Sequence, residues 1–197
     1  MPAPNLMWRH VIISTRRSWL HGDERGFRSR GHRIHSSGDY KNPPPAGEHA
    51  GLEDYHLSRA KGPPVKIPRP LRREVGLALL SAALLSKIRV LVIAVGQKHA
   101  HALVRLPRSR KRAKRIVGKW KTVRTPALRK ALPGRIWGEG GKYKPVKTRD
   151  HLRAALKYIR DEQGPGAWVW TYEDGVPDEV SKAIKRVLRD RARKRRK

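Results

Sequence analysis

The sequence predicts a domain that mixes β-strands with α-helices, and three observations carry that reading. Val90 to Val95 is a continuous apolar run without charge, the pattern of a strand buried on both faces. Leu71 to Ser86 repeats Leu71, Val75, Leu79 and Ala82 at spacings of three and four, with Leu80, Leu84 and Leu85 widening the same helical face. Trp8 to Trp19 gathers its β-branched residues at the centre, as a strand does. Strand, helix and strand in this order suggest a βαβ crossover. The 197 residues suffice for one core of ordinary size.

Between the first strand and the helix, residues 20–70 lose all periodicity. Glycines, prolines and histidines abound, and Pro43-Pro44-Pro45 fits neither a helix nor a central strand. This stretch contains His21, His32, His35, His49 and His56, with His10 just before it. Their spacings match no ligand pattern, so they read as scattered, solvated side chains. Pro70 marks the start of the helix that follows.

After the buried run, Gly96 breaks the pattern and an alternating run begins at His99. Ser109 can cap a helix whose apolar stripe is Ala113, Ile116, Val117 and Trp120. Its other face is cationic throughout: Arg110, Lys111, Arg112, Lys114, Arg115, Lys119 and Lys121. A charged helix face is usually only a solvated face, but uniform sign favours a phosphate-facing surface. Thr125-Pro126 opens a short helical turn ending near Pro133. Arg135-Ile136-Trp137 reads as a strand, Gly138 to Gly141 as its turn, and Tyr143 to Val146 as a returning strand that Pro145 confines to an edge. Thr148 caps a helix running to about Gln163, stopped by Gly164-Pro165. Trp168-Val169-Trp170 alternates like a last strand. Pro177, Asp178 and Glu179 open a final helix, and its tail from Arg191 reads as disordered until a polyanion is met. Residues 1–175 therefore form one domain with a loop-rich insert, and residues 176–197 a basic appendage.

The balance of 47 Lys+Arg against 16 Asp+Glu, a net charge of +31, calls for a polyanionic partner. Nucleic acid is the first choice and an anionic membrane surface the rival. No run of about 18 apolar residues offers a spanning helix, and Met1-Pro2-Ala3-Pro4 does not open a secretion signal. With no cysteine there is no disulfide framework and no cysteine-built zinc finger. A cytoplasmic nucleic-acid-binding protein is the expectation.

Two stretches carry candidate chemistry. Residues two apart on a strand point the same way, so His99 and His101 project together and make a half-site for a divalent metal. The plainer alternative is that both cap the polar face of a strand. On the helix from Thr148, Leu152, Ala155, Leu156 and Ile159 span an arc of roughly 100° at about 100° per residue, and form the buried face. His151, Tyr158 and Glu162 fall within roughly 40° of one another beside it. There the plainer alternative is a half-buried tyrosine shielding the core edge.

Taken together, His99-Ala100-His101 after a buried strand, the basic helix, Arg135-Ile-Trp-Gly-Glu-Gly-Gly and Leu152 to Tyr158-Ile159 resemble the single-tyrosine HUH transposases, in particular the REP-associated tyrosine transposases. The likeness covers roughly Trp8 to Tyr172. It implies a ferredoxin-like α+β sandwich with an antiparallel sheet and helices on one face. By the resemblance, Tyr158 is the nucleophile and His99 and His101 are metal ligands for Mg²⁺ or Mn²⁺. Glu162 is the third ligand, with Gln163 as the alternative. The protein would be a DNA nickase and strand transferase, a homodimer acting on single-stranded or hairpin DNA through a 5′-phosphotyrosine. Arg110, Lys111, Arg112, Lys114, Arg115 and Lys119 would bind the backbone, and Trp137, Tyr143 or Trp168 would stack on bases. The insert is longer than the family's usual link, and Gly164-Pro165 stands where the family often has Asn-Pro. The alternatives are a basic RNA-binding structural protein of ribosomal type, or an inactive derivative that only binds hairpins.

Overall fold

The computed structural model describes residues 5–20, 22, 45, 47–60, 62–123 and 126–195. Its centre is a five-stranded sheet in which every neighbouring pair is antiparallel. The strands are β1 (Leu6–Ser14), β2 (Val90–Val95), β3 (His99–Pro107), β4 (Lys142–Pro145) and β5 (Trp168–Thr171), in spatial order β4-β1-β3-β2-β5. Because β1 and β2 each pair antiparallel with β3, they run parallel to each other with β3 between them. The expected crossover is thus present in its split form. The fold class is the expected α+β one, with β5 extending the sheet beyond β2.

Among the described residues there are six α-helices: α1 (Ala50–Ser58), α2 (Arg72–Leu85), α3 (Arg110–Trp120), α4 (Pro126–Ala131), α5 (Arg149–Asp161) and α6 (Asp178–Arg195). Strand alternation divides the packing into two clusters. Val11, Ile13, Ile93, Val95, Ala100, Val104, Leu106, Tyr143 and Trp170 face α2, together with Ala113, Val117 and Trp120 of α3 and Val180 of α6. Val92, Ala94, Leu103 and Val146 face the other way and meet Ala155 and Ile159 of α5. So α5 departs from the expectation of helices on one face and lies across the opposite side. Arg73 of α2 pairs with Glu179 of α6 at 2.8 Å, and α6 stays helical through Arg195, past the start of the expected disordered tail.

The caps read from sequence are in place. The Ser109 Oγ accepts the Arg112 N–H at 3.4 Å, and the Thr148 Oγ1 accepts the His151 N–H at 3.1 Å. Thr125 lies outside the described residues, as do His21, His32 and His35 of the insert. Two strand expectations are corrected. The first strand stops at Ser14 rather than Trp19, because the chain turns there and Arg17 takes a φ of 61° that no strand accommodates. Arg135 to Trp137 is no strand; only an isolated bridge links Trp137 to Thr15.

The end of the insert is firmly tied. Val65 N–H donates to Arg16 O at 2.9 Å, Ile67 N–H donates to Gln97 O at 2.7 Å, and the Ile67 side chain is fully buried. Thr15 N–H reaches Lys98 O at 2.7 Å while its hydroxyl donates to Val65 O at 2.6 Å. These bonds fix the β2–β3 turn and with it the start of the strand that bears His99 and His101.

Candidate active site

On the face that α5 crosses, β1 presents Trp8, His10, Ile12 and Ser14, while β3 presents His99, His101, Leu103 and Arg105. Register pairs Ile12 with His101 and Ser14 with His99, so His10 stands diagonally from His101. That diagonal is closed by a hydrogen bond: His10 Nε2 and His101 Nδ1 are 2.7 Å apart. Both rings are buried, at 7 % and 4 % exposure. The expected pairing of His99 with His101 is observed, with ring centroids 4.8 Å apart at 74°.

Helix α5 brings the tyrosine to this cluster. Ala155 and Ile159 bury themselves against Leu103, Val92 and Ala94, which leaves Tyr158, one residue before Ile159, at the border of the packed face. Its ring centroid lies 5.8 Å from that of His101 and 5.9 Å from that of His10, and 41 % of the residue stays exposed. Tyrosine and histidines therefore meet within one chain.

The surroundings are cationic. Lys144 is the β4 partner of His10, and Lys142 that of Ile12, so both stand on the same face. Burial, then Lys144 and His151, lower the His10 pKa to about 4. Burial, then His99, His10, Lys144 and Lys142, lower that of His101 to about 3. Both imidazoles are neutral at physiological pH. A ring held at about 3 is a far weaker base than an ordinary histidine. His101 is thus suited to ligation or hydrogen bonding and not to deprotonating Tyr158.

The same burial makes the fold acid-sensitive. Below the ordinary histidine pKa of about 6.5, the unfolded chain binds protons that these rings refuse. Their contribution is fully present above about pH 6.5 and is lost as pH falls toward 4 and then 3. His10 alone accounts for something on the order of 3 kcal/mol. Denaturant titrations between pH 7 and 4 should show stability falling, with a flatter profile in a His10→Phe/His101→Leu double variant. An identical slope in that variant would place the acid sensitivity elsewhere.

Two imidazoles on one face, those of His99 and His101, suit a divalent cation, and His101 still has Nε2 outside its bond to His10. The carboxylate does not join them. Glu162 is the exposed C-cap of α5, its N–H bonded to Tyr158 O at 3.1 Å. Gln163 turns its amide back onto the same carbonyl at 2.9 Å. Among the described residues no group of three or more His, Cys, Asp or Glu side chains is set to hold a metal ion. The pair fits a metal; the triad with Glu162 is not assembled.

The base-stacking assignments need correction. Trp137 and Tyr143 are 3 % and 8 % exposed and belong to the α2-side core, so neither offers a ring face to a base. Tyr143 opposes Val11 in register and alternates inward, which sends its neighbours Lys142 and Lys144 to the α5 face. Trp168 also packs against the α2-side core. The cations Arg110, Lys111, Arg112, Lys114, Arg115 and Lys119 are all exposed or half-exposed, as expected, but α3 lies in the α2 layer, across the sheet from Tyr158.

Sequence reasoning missed His10, Lys142 and Lys144. A histidine beside Val11-Ile12-Ile13 on a strand was the available sign, since a polar residue there needs a partner. No helix among the described residues is long and apolar enough to cross a membrane. No protein-family model matches the chain, and neither does any curated protein or solved structure.

Proposed function

We propose that the protein cuts and rejoins single-stranded DNA through a covalent link to Tyr158. The observation that carries this reading is the exposed Tyr158 ring set against the buried His10–His101 pair, with two lysines beside it. A phosphodiester anion complements that charge. Lys142 and Lys144 would hold the phosphate oxygens through charge-assisted hydrogen bonds. Further along the same face, Trp8, Arg105, Arg108 and Lys147 line an open groove, suited to the flanking nucleotide that Trp137 and Tyr143 cannot receive.

The Tyr158 oxygen gives its proton to water and attacks phosphorus. An O–P bond forms, the P–O3′ bond breaks, and the departing 3′ oxygen takes a proton from water. The product is a 5′-phosphotyrosine and a free 3′ hydroxyl, and attack by a 3′ hydroxyl reverses the step without ATP. His99 and His101 would hold a divalent cation, Mg²⁺ or Mn²⁺, which supplies Lewis acidity toward the phosphate oxygens.

Incubation with labelled single-stranded or hairpin DNA and either cation should give a covalent adduct that survives a denaturing gel. Tight binding without any adduct, across substrates and both cations, would instead support a nucleic-acid-binding protein without this chemistry.

The basic helix has a separate expected effect. Replacing Arg110, Lys111, Arg112, Lys114 and Arg115 with glutamine keeps good helix formers and removes charge. Binding to all sequences should weaken alike, and the slope of log K against log salt should fall by roughly 0.7 to 0.9 for each phosphate that is no longer neutralised. A salt slope left intact, with altered sequence preference, would mean that α3 reads bases.

A further inference from the structure

We propose that His10 is a positioning residue of the site, accepting the Nδ1–H of His101 on its own Nε2 and so fixing Nε2 as the unprotonated nitrogen of His101. The inference rests on the proposed function for its purpose, though not for its geometry. The two nitrogens are 2.7 Å apart between buried rings, so one of them carries a proton and the other accepts it. A neutral imidazole has a single N–H, and placing it at one ring nitrogen leaves a lone pair at the other.

Two arrangements satisfy that bond. If His10 donated, His101 would turn an Nε2–H outward. Its lysine neighbours are Lys142 and Lys144, against Lys144 alone for His10. A lone pair at the outer edge of His101 suits the more positive of the two settings. It is also the form that a ligand to a metal must take, its other ring nitrogen being held by a fixed partner. His10 reaches this place because β1 lies directly beside β3, the central strand, and because the even positions of β1 share the face of His99 and His101. The rigidity of two paired strands holds both rings, where a partner on a loop would not.

The experiment is long-range ¹⁵N–¹H correlation of the metal-free, ¹⁵N-histidine-labelled full chain near neutral pH, with His101 assigned from a His101→Gln spectrum. The wild type should show His101 protonated at Nδ1. His10→Ala should move it toward the Nε2–H form, and His10→Gln, whose amide oxygen can accept, should restore it. An Nε2–H wild type overturns the proposal, as does a His101 signal that His10→Ala leaves unmoved. The wild-type spectrum decides even if an alanine variant fails to fold. In adduct assays, His10→Ala should slow adduct formation at least tenfold at unchanged DNA affinity, with partial recovery in His10→Gln. An unchanged rate would also overturn it. Should the wild type form no adduct, the proposed function fails while the spectra still settle the tautomer.

Discussion

Tyr158→Phe is expected to abolish covalent adduct formation while leaving the protein folded and its DNA affinity nearly intact. The substitution removes one hydroxyl from a residue that is 41 % exposed. The ring contacts with His10 and His101 survive, since they are made by its faces and edge. The loss of stability should stay near 1 kcal/mol, the usual net worth of one hydrogen bond. The proposed covalent chemistry has no such tolerance, because in it the phenol oxygen is the atom that would bond to phosphorus. A denaturing gel and a binding titration on the same preparation measure both halves. If Tyr158→Phe still forms the adduct and one of the variants at Tyr40, Tyr55, Tyr143 or Tyr172 does not, the nucleophile is misassigned. If none of the five substitutions matters, the transferase reading falls.

The largest expected loss of stability follows Gly76→Ala. Gly76 is buried within α2, and a Cβ there would fall inside the indole of Trp168. That ring is half-buried and packed against the α2-side core, so it must shift to admit a methyl group. Overpacking ordinarily costs about 1–3 kcal/mol, and an overlap this deep should exceed that range. Gly118 on α3 is the control, since a Cβ at that position meets nothing. Gly118→Ala should stabilise by about 0.5–1 kcal/mol through helix propensity. Denaturant midpoints of the pair measure the contrast, and a tolerated Gly76→Ala would show that Trp168 can vacate its place.

How much of this was legible in the sequence depends on the range of each interaction. The Ser109 and Thr148 caps, the apolar faces of α2, α3 and α5, and the common direction of His99 and His101 are set by residues within a turn or two, and period alone finds them. Tyr158 at the border of the buried face of α5 follows from the same arithmetic. The partnership of His10 with His101 spans 91 positions and depends on how β1 registers against β3. Nothing local fixes that register. The same register turns Tyr143 inward and Lys142 and Lys144 outward, so an aromatic that looked like a base platform proved to be core while its neighbours stand beside the histidines. Which side of the sheet a helix covers is equally non-local, and α3 and α5 came to rest on opposite sides.

The unequal division of the apolar core has a consequence for motion. Most of the buried apolar side chains lie between the sheet and α2, α3 and α6, whereas α5 buries only Ala155 and Ile159 fully. Free energies of local opening follow the apolar surface a segment buries, so α5 is a separate and weaker cooperative unit than the layer behind the sheet. Tyr158 is carried by that weaker unit, while His10, His99 and His101 belong to the strands. A strand end bonded to Tyr158 would thus be tethered to the more mobile half of the site, free to be carried away from the fixed histidines and returned while the rest of the molecule stays folded.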